Sequence, residues 1–204
     1  MSLKLFITGT DTNVGKTYIS IGLIKKFNQS GLKTLGIKPV STGGYCYNGK
    51  VYNEDAIQLQ QYSTATLHYK RINPISLLRP VSPNIAAQFS NIPISVNTIM
   101  TKMQFALNSK AEVFVIEGIG GWLTPLNNIE TMADLVNELK LSVILVVGVR
   151  TGCLNHALLT MQSIRNSQTN LVGWIANCID PNTEAIPENV FTLQIIYLPL
   201  YLVL

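Results

Sequence analysis

The sequence predicts an α/β fold in three layers, a mostly parallel sheet flanked by helices. Strand-like apolar runs alternate with amphipathic, helix-like runs, and a βαβα order lays parallel strands side by side with helices on both faces. The most apolar run, Ser142–Val149, reads as a strand covered on both faces, as in a parallel sheet. A glycine-rich turn, Thr8 to Thr17, joins the first strand-like run to the first helix-like one.

Leu3–Ile7 reads as the first strand and Ile19–Phe27 as the first helix. The turn between them ends Gly15-Lys16-Thr17, the signature of a phosphate-binding loop, so the fold is P-loop NTPase-like. Backbone N–H groups of such a turn and the helix N-terminus form an anion-binding nest. Lys16 adds a point charge for the β- and γ-phosphates, and Thr17 offers a hydroxyl to Mg²⁺. Five residues, not four, separate Gly9 from Gly15, so the loop is a lengthened variant.

Leu35–Lys38 reads as the second strand, between Gly31 and Pro39. Asp55–Tyr62 reads as a helix with Asn53 as its N-cap. Ser82 caps another helix through Phe89, with Pro83 in its first turn. Asn97–Leu107 is helical by period, and Val113–Ile116 is a buried strand leading to Glu117-Gly118. Thr131–Leu139 and Cys153–Asn166 read as helices and Leu171–Ala176 as a last strand. No repeat or domain boundary interrupts the series, so residues 1–204 are expected to form a single ATP-binding catalytic domain.

Composition narrows the function classes. Hydrophobic residues make up 47% and charged residues 13%, which suits a globular enzyme and not a disordered chain. No apolar run approaches a membrane span, and no signal peptide is expected ahead of the first strand. The net charge of +4 is scattered rather than clustered, so neither a nucleic-acid nor a membrane partner is expected. Cys46, Cys153 and Cys178 show no metal-binding spacing and suit a reducing cytoplasm. His68 and His156 lack partners at ligand spacing and suit core or cap roles; Trp122 and Trp174 suit packing.

In parallel sheets ligands sit beyond the carboxyl ends of the strands. Lys38 ends the second strand and is placed to face the phosphate loop as a second cation. Ser41 and Thr42 then offer hydroxyls to a substrate. Asp55 at a helix start suits the helix dipole or a Mg²⁺ ligand. Glu117 ends a buried strand, where a second acidic Mg²⁺ ligand of such ATPases sits. Thr17, Asp55 and Glu117 together supply a hard-oxygen set for Mg²⁺.

These pieces together resemble the dethiobiotin synthetases. The matching runs are Gly9–Thr17, Lys38-Pro39-Val40, Asn53–Ala56, Ser82–Ala87 and Glu117–Trp122, then Val146–Val149, Gly152–Ala157 and Gly173–Asn177. The lengthened phosphate loop is part of the family pattern. The resemblance implies an ATP- and Mg²⁺-dependent ligase of biotin biosynthesis. 7,8-Diaminononanoate takes up CO₂ as a carbamate, ATP phosphorylates the carbamate, and the second amine closes a cyclic urea.

By resemblance Lys38 and Lys16 are the catalytic lysines. ATP would be bound by Thr12, Asn13, Val14, Gly15, Lys16 and Thr17, with Asp55, Glu117, Gly118, Ile119 and Gly120. Asn177, beside Cys178, would contact the adenine. Thr42 and Ser41 would bind substrate. Gly152, Cys153, Leu154 and Asn155 open a helix that, in this family, reaches the neighbouring subunit's site, which implies a homodimer. Alanine at Lys16 or Lys38 is expected to abolish turnover without unfolding the chain.

The departures are Asn13 for the usual glutamate, Asn84 for the usual histidine after Ser-Pro, and Thr42 where serine is commoner. The family continues past Asn189 with a Pro-rich loop and a last helix, and neither is read here. Weak discrimination among nucleotide bases follows from that, and Ile195 to Leu204 are expected to form an edge strand or to cover a core face. Two alternatives stand beside the ligase. One is a nucleotide-switch ATPase of the partitioning type, which usually carries a second lysine early in the loop, where Thr10-Asp11-Thr12 has none. The other is a nucleotide-binding protein whose turnover is impaired by the divergent tail.

Overall fold

The computed structural model describes residues 2–167, 169–197 and 201–203. Strand β1 (Leu3–Gly9) lies inside the sheet and runs into α1 (Lys16–Gln29) and then β2 (Thr34–Ile37). Three short strands follow, β3 (Val40–Ser41), β4 (Tyr45–Tyr47) and β5 (Lys50–Tyr52). Next come α2 (Glu54–Tyr62), α3 (Tyr69–Ile72), β6 (Ile75–Ser76), α4 (Pro83–Ser90) and α5 (Val96–Leu107). Strand β7 (Val113–Glu117), α6 (Met132–Glu138), β8 (Ser142–Gly148), α7 (Cys153–Asn166) and β9 (Leu171–Asn177) complete the alternating part, followed by α8 (Ile186–Tyr197) and β10 (Tyr201–Val203).

The main sheet has the order β10-β9-β8-β1-β7-β2, and all its pairings are parallel. From β1 the chain steps over to β2, returns to β7, then crosses to β8 on the other side. The strand order therefore reverses around β1, and a crevice opens beyond the carboxyl ends of β1 and β7.

The pleat explains the layers. Leu5 and Ile7 of β1 and Val113 and Val115 of β7 pack with Ile19 and Ile24 of α1. Phe6, Phe114 and Ile116 point to the opposite face, among Ile99 and Met103 of α5 and Met161 and Ile164 of α7. Alternate residues thus feed two cores, and the strands read as continuous apolar runs because neither face meets water.

The expected strands and helices are present, with ends shifted by a few residues. Asn53 caps α2 by accepting from the Ala56 N–H, and Thr131 and Asp134 form a capping box on α6. Ser82 precedes Pro83 of α4, but its side chain makes no cap hydrogen bond.

Three features lie outside the sequence expectation. The β4–β5 hairpin turns at Asn48-Gly49, both with positive φ, and Asn-Gly is a strong hairpin signal in its own right. The parallel β3–β6 pair is two residues long and leaves no periodic trace. Helix α8 occupies the tail where no helix was expected. Pro187 and Glu188 in its first turn are helix-start residues, but the β-branched run behind them reads as strand. Ile195 and Ile196 therefore belong to α8 and are exposed, instead of forming a strand. The edge-strand expectation holds for β10, which adds to β9 in the register Tyr201↔Trp174. The rest of that expectation, residues 198–200 and 204, lies outside the described residues. Among the described residues no helix is long and apolar enough to cross a membrane.

Candidate active site

The phosphate loop connects β1 to α1 at the reversal point of the sheet. Its backbone turns left-handed at Asn13 (φ 58°) and at Gly15 (φ 90°), the N-cap of α1. Asparagine tolerates that region better than most residues, and glycine adopts it without strain. A β-carbon on Gly15 would also run into Nδ2 of Asn177, so a larger residue here would displace that amide.

The two lysines come together at this loop. Lys16 is buried and donates to the carbonyls of Asp11 (2.8 Å) and Gly120 (2.6 Å). Burial, and then the charge of Lys38, lowers its ammonium from 10.5 to about 8. Lys38 follows the last residue of β2 and donates to Asp55 Oδ2 (2.7 Å) and Glu117 Oε1 (2.5 Å). Burial alone would lower its pKa, but the carboxylates of Glu117 and Asp55 outweigh it and hold the ammonium above its usual range. Asp55 shows the converse. Burial would raise its carboxyl, but the Lys38 charge and hydrogen bond, with Thr17 and Lys16, hold it below the usual range.

Thr17 donates to the same Glu117 Oε1 at 2.8 Å. Glu117 is 1% exposed, and its Oε2 is buried with no hydrogen-bond partner among the described residues. A buried carboxylate oxygen without a partner is costly unless a ligand or ion completes it. Thr17, Asp55 and Glu117 offer oxygen donors alone, the set that suits Mg²⁺.

These groups line a cavity of about 880 Å³. Of the expected residues, Thr12, Asn13, Gly15, Lys16, Thr17, Lys38, Thr42, Asp55, Glu117, Ile119 and Gly120 face it. Val14 does not, being 1% exposed in the core behind the loop. Gly118 is packed on Phe6, and its N–H donates to the Ile7 carbonyl. Ser41 is fully buried and donates to Asn73 Oδ1 at 2.8 Å, so it holds β3 and leaves Thr42 as the hydroxyl on the cavity. Neighbours on an extended segment point opposite ways, so the pair cannot both face one ligand.

Asn177 and Cys178 lie off the cavity lining; Asn177 donates from Nδ2 to the Val14 carbonyl at 2.9 Å. The turn at Gly152–Asn155 is also absent from the lining. Gly152 is left-handed (φ 86°), Cys153 is buried, Leu154 packs on the core and Asn155 is exposed. Arg150, just before that turn, pairs with Asp11 of the phosphate loop at 2.5 Å.

The cavity wall also contains residues that the sequence does not mark as part of a site. Pro80, Val81, Ser82 and Pro83 form one part, and Asn53, Thr124 and Pro125 others. Ser82-Pro83 reads in the sequence as a helix start and as part of a family-like run, not as cavity wall; Thr124 carries no local signal, yet its hydroxyl accepts from the Gly121 N–H at 2.8 Å and shapes the turn beside Lys16. His68 does cap a helix, its Nδ1 accepting from the Lys70 N–H.

The geometry agrees with known proteins. A family model described as an AAA domain matches residues 3–196. The kinase domain of the Escherichia coli tyrosine kinase ETK superposes with a TM-score of 0.55 at 19% identity, covering 90% of this chain and 70% of that one. The cell division protein FtsY of Thermotoga maritima gives a TM-score of 0.54 at 16% identity, covering all of this chain and 61% of that one. Such low identities speak for the fold alone. The ATP-dependent dethiobiotin synthetase BioD of Cellvibrio japonicus is 43% identical over 194 residues, 95% of this chain and 85% of that protein. The BioD of Wigglesworthia glossinidia brevipalpis is 41% identical over 177 residues, 87% of this chain and 78% of that protein. A match of that depth over most of both chains places this chain in the dethiobiotin synthetase family.

Proposed function

We propose that the chain is an ATP-dependent ligase, one catalytic unit that makes dethiobiotin from 7,8-diaminononanoate, CO₂ and ATP. The observation that carries this reading is the pair of lysines on one cavity, Lys16 on the phosphate loop and Lys38 between two carboxylates, in a chain 43% identical to a dethiobiotin synthetase. A nucleotide switch needs the loop lysine. The second lysine fits group transfer to a bound carbamate.

The reaction divides among the residues as follows. One amine attacks CO₂, forming a C–N bond and losing a proton, which leaves a carbamate. A carbamate oxygen attacks the γ-phosphorus, and ADP departs. The second amine attacks the carbonyl carbon, the carbon–oxygen bond to phosphate breaks, phosphate departs with that amine's proton, and the ring closes. The loop N–H groups from Thr12 to Thr17 hold the triphosphate, and the N-terminus of α1 adds its dipole. Lys16 and Lys38 balance the charge spreading over the equatorial oxygens of the transferring phosphoryl group. Thr42 orients the substrate. Thr17, Asp55 and Glu117 would hold Mg²⁺, which supplies further neutralisation at the phosphate oxygens. On binding ATP, Lys16 exchanges the Asp11 and Gly120 carbonyls for phosphate oxygens.

Incubation with diaminononanoate, bicarbonate and MgATP is expected to release dethiobiotin, ADP and phosphate in equal amounts. ATP hydrolysis without dethiobiotin would overturn the ligase reading in favour of a switch.

We infer also a homodimer. The Gly152–Asn155 turn opens a 14-residue helix yet lies off its own chain's cavity, which fits service to a neighbour's site. Sedimentation is expected to give a dimer, and a fully active monomer at assay concentration would contradict it. Three free cysteines without a disulfide suit a cytoplasmic location.

A further inference from the structure

We propose that Asn177 is a positioning residue for the phosphate loop, fixing the Val14–Gly15 peptide so that the loop receives a triphosphate whatever base is attached. This rests on the ATP site proposed above.

Asn177 is the last residue of β9, and its own carbonyl accepts from the Val149 N–H at 2.9 Å, so the sheet fixes its backbone. Its side chain reaches 163 residues back in sequence to the Val14 carbonyl, at 2.9 Å. A carbonyl can only accept, so the amide must present its NH₂ there. The Val14–Gly15 peptide is planar and trans, so its C=O and N–H point in opposite directions. Holding the carbonyl towards Asn177 turns the Gly15 N–H to the other side. Gly15 lines the cavity and Asn177 does not.

A second observation points the same way. Gly15 is the N-cap of α1, where no side chain caps the helix. A β-carbon there would run into the Asn177 nitrogen. The amide thus occupies the space that a side chain at position 15 would take, at the turn where loop becomes helix. A nest holds an anion only if its N–H groups converge before the anion arrives. One hydrogen bond at this peptide sets one of those directions.

The test uses inorganic tripolyphosphate with Mg²⁺, a probe with no base, beside MgATP. Binding to wild type and Asn177→Ala is measured by calorimetry, well below each protein's unfolding midpoint. Both ligands are expected to weaken by the same factor, roughly tenfold, the worth of one such hydrogen bond. A residue that supports only folding would lower the midpoint and leave both affinities unchanged. That result overturns the proposal, as does weaker ATP binding with unchanged tripolyphosphate binding, which would make Asn177 a reader of the base alone. Should the alanine variant fail to fold, Asn177→Leu removes the donor, keeps the volume and adds no charge, and is read in the same way. No diamine is present, so failure of the ligase reading leaves this result intact. Wild type that binds neither probe would instead overturn the ATP site itself.

Discussion

Replacing Lys38 with alanine is expected to lower turnover by roughly 10²–10³-fold, the usual effect of losing one preorganised charge at a transition state. The structure adds a second effect. Lys38 is 3% exposed and is the ammonium that pairs with Glu117, itself 1% exposed. Without it, a buried carboxylate faces Asp55 with no cation bonded to either. Removing one partner of a buried ion pair typically costs about 3–5 kcal/mol. The sequence alone suggested lost turnover in an intact fold; burial of the pair makes substantial destabilisation the expectation. Lys38→Met keeps the volume and should be destabilised nearly as much. Lys38→Met combined with Glu117→Gln should regain part of that stability and none of the turnover. Urea unfolding of the three variants checks this. Unchanged midpoints for both single variants would mean that Glu117 finds another partner or a proton.

What the sequence made legible follows from where polar residues are allowed. Strands covered on both faces admit few charges, so Glu117 at the end of β7 and Lys38 just past β2 stood out against apolar runs. Their joint cavity could then be placed at the strand ends by topology. The bond between them, made across 79 residues, could not be read from spacing. Thr42 and Ser41 were indistinguishable as hydroxyls until the direction of the short β3 segment separated them. The wall at Pro80–Ser82 belongs to a loop with no period, and Pro83 opens α4. They share a cavity with the phosphate loop only in the folded chain.

The tail shows the opposite failure. Its composition is apolar and β-branched, which favours strand, yet Ile186–Tyr197 is helical. Val190 and Leu193 of α8 are buried in the same core as α7, so packing overrides propensity. The helix-start signal of Pro187 and Glu188 was present but weaker than the pattern behind it.

Lys16→Ala should match Lys38→Ala in lost turnover, roughly 10²–10³-fold, and differ from it in stability. Among the described residues Lys16 has no carboxylate bonded to it; its ammonium rests on two backbone carbonyls and beside the Lys38 charge. Burial, and then the Lys38 charge, holds its pKa at about 8 instead of 10.5. Between those values the unfolded chain binds the proton and the folded chain does not, so stability contributed by this group rises with pH across that window. Below about pH 8 the charged form is less favourable in the folded chain than the neutral one by an amount on the order of 3 kcal/mol, and only packing of the aliphatic stem offsets it. At pH 7 the alanine variant should thus unfold no more easily than wild type, and any advantage should fade towards pH 10.5. Bound triphosphate favours the charged lysine, so the pH sign for ligand is reversed. ATP affinity of wild type should be highest below pH 8 and fall above it, while that of the variant should be weak and lack this alkaline limb. Thermal unfolding and ATP titration from pH 7 to 10 check both. A variant clearly less stable than wild type at pH 7 would show that the carbonyl contacts outweigh the cost of burying the charge, making Lys16 a structural tie as well as a phosphate ligand.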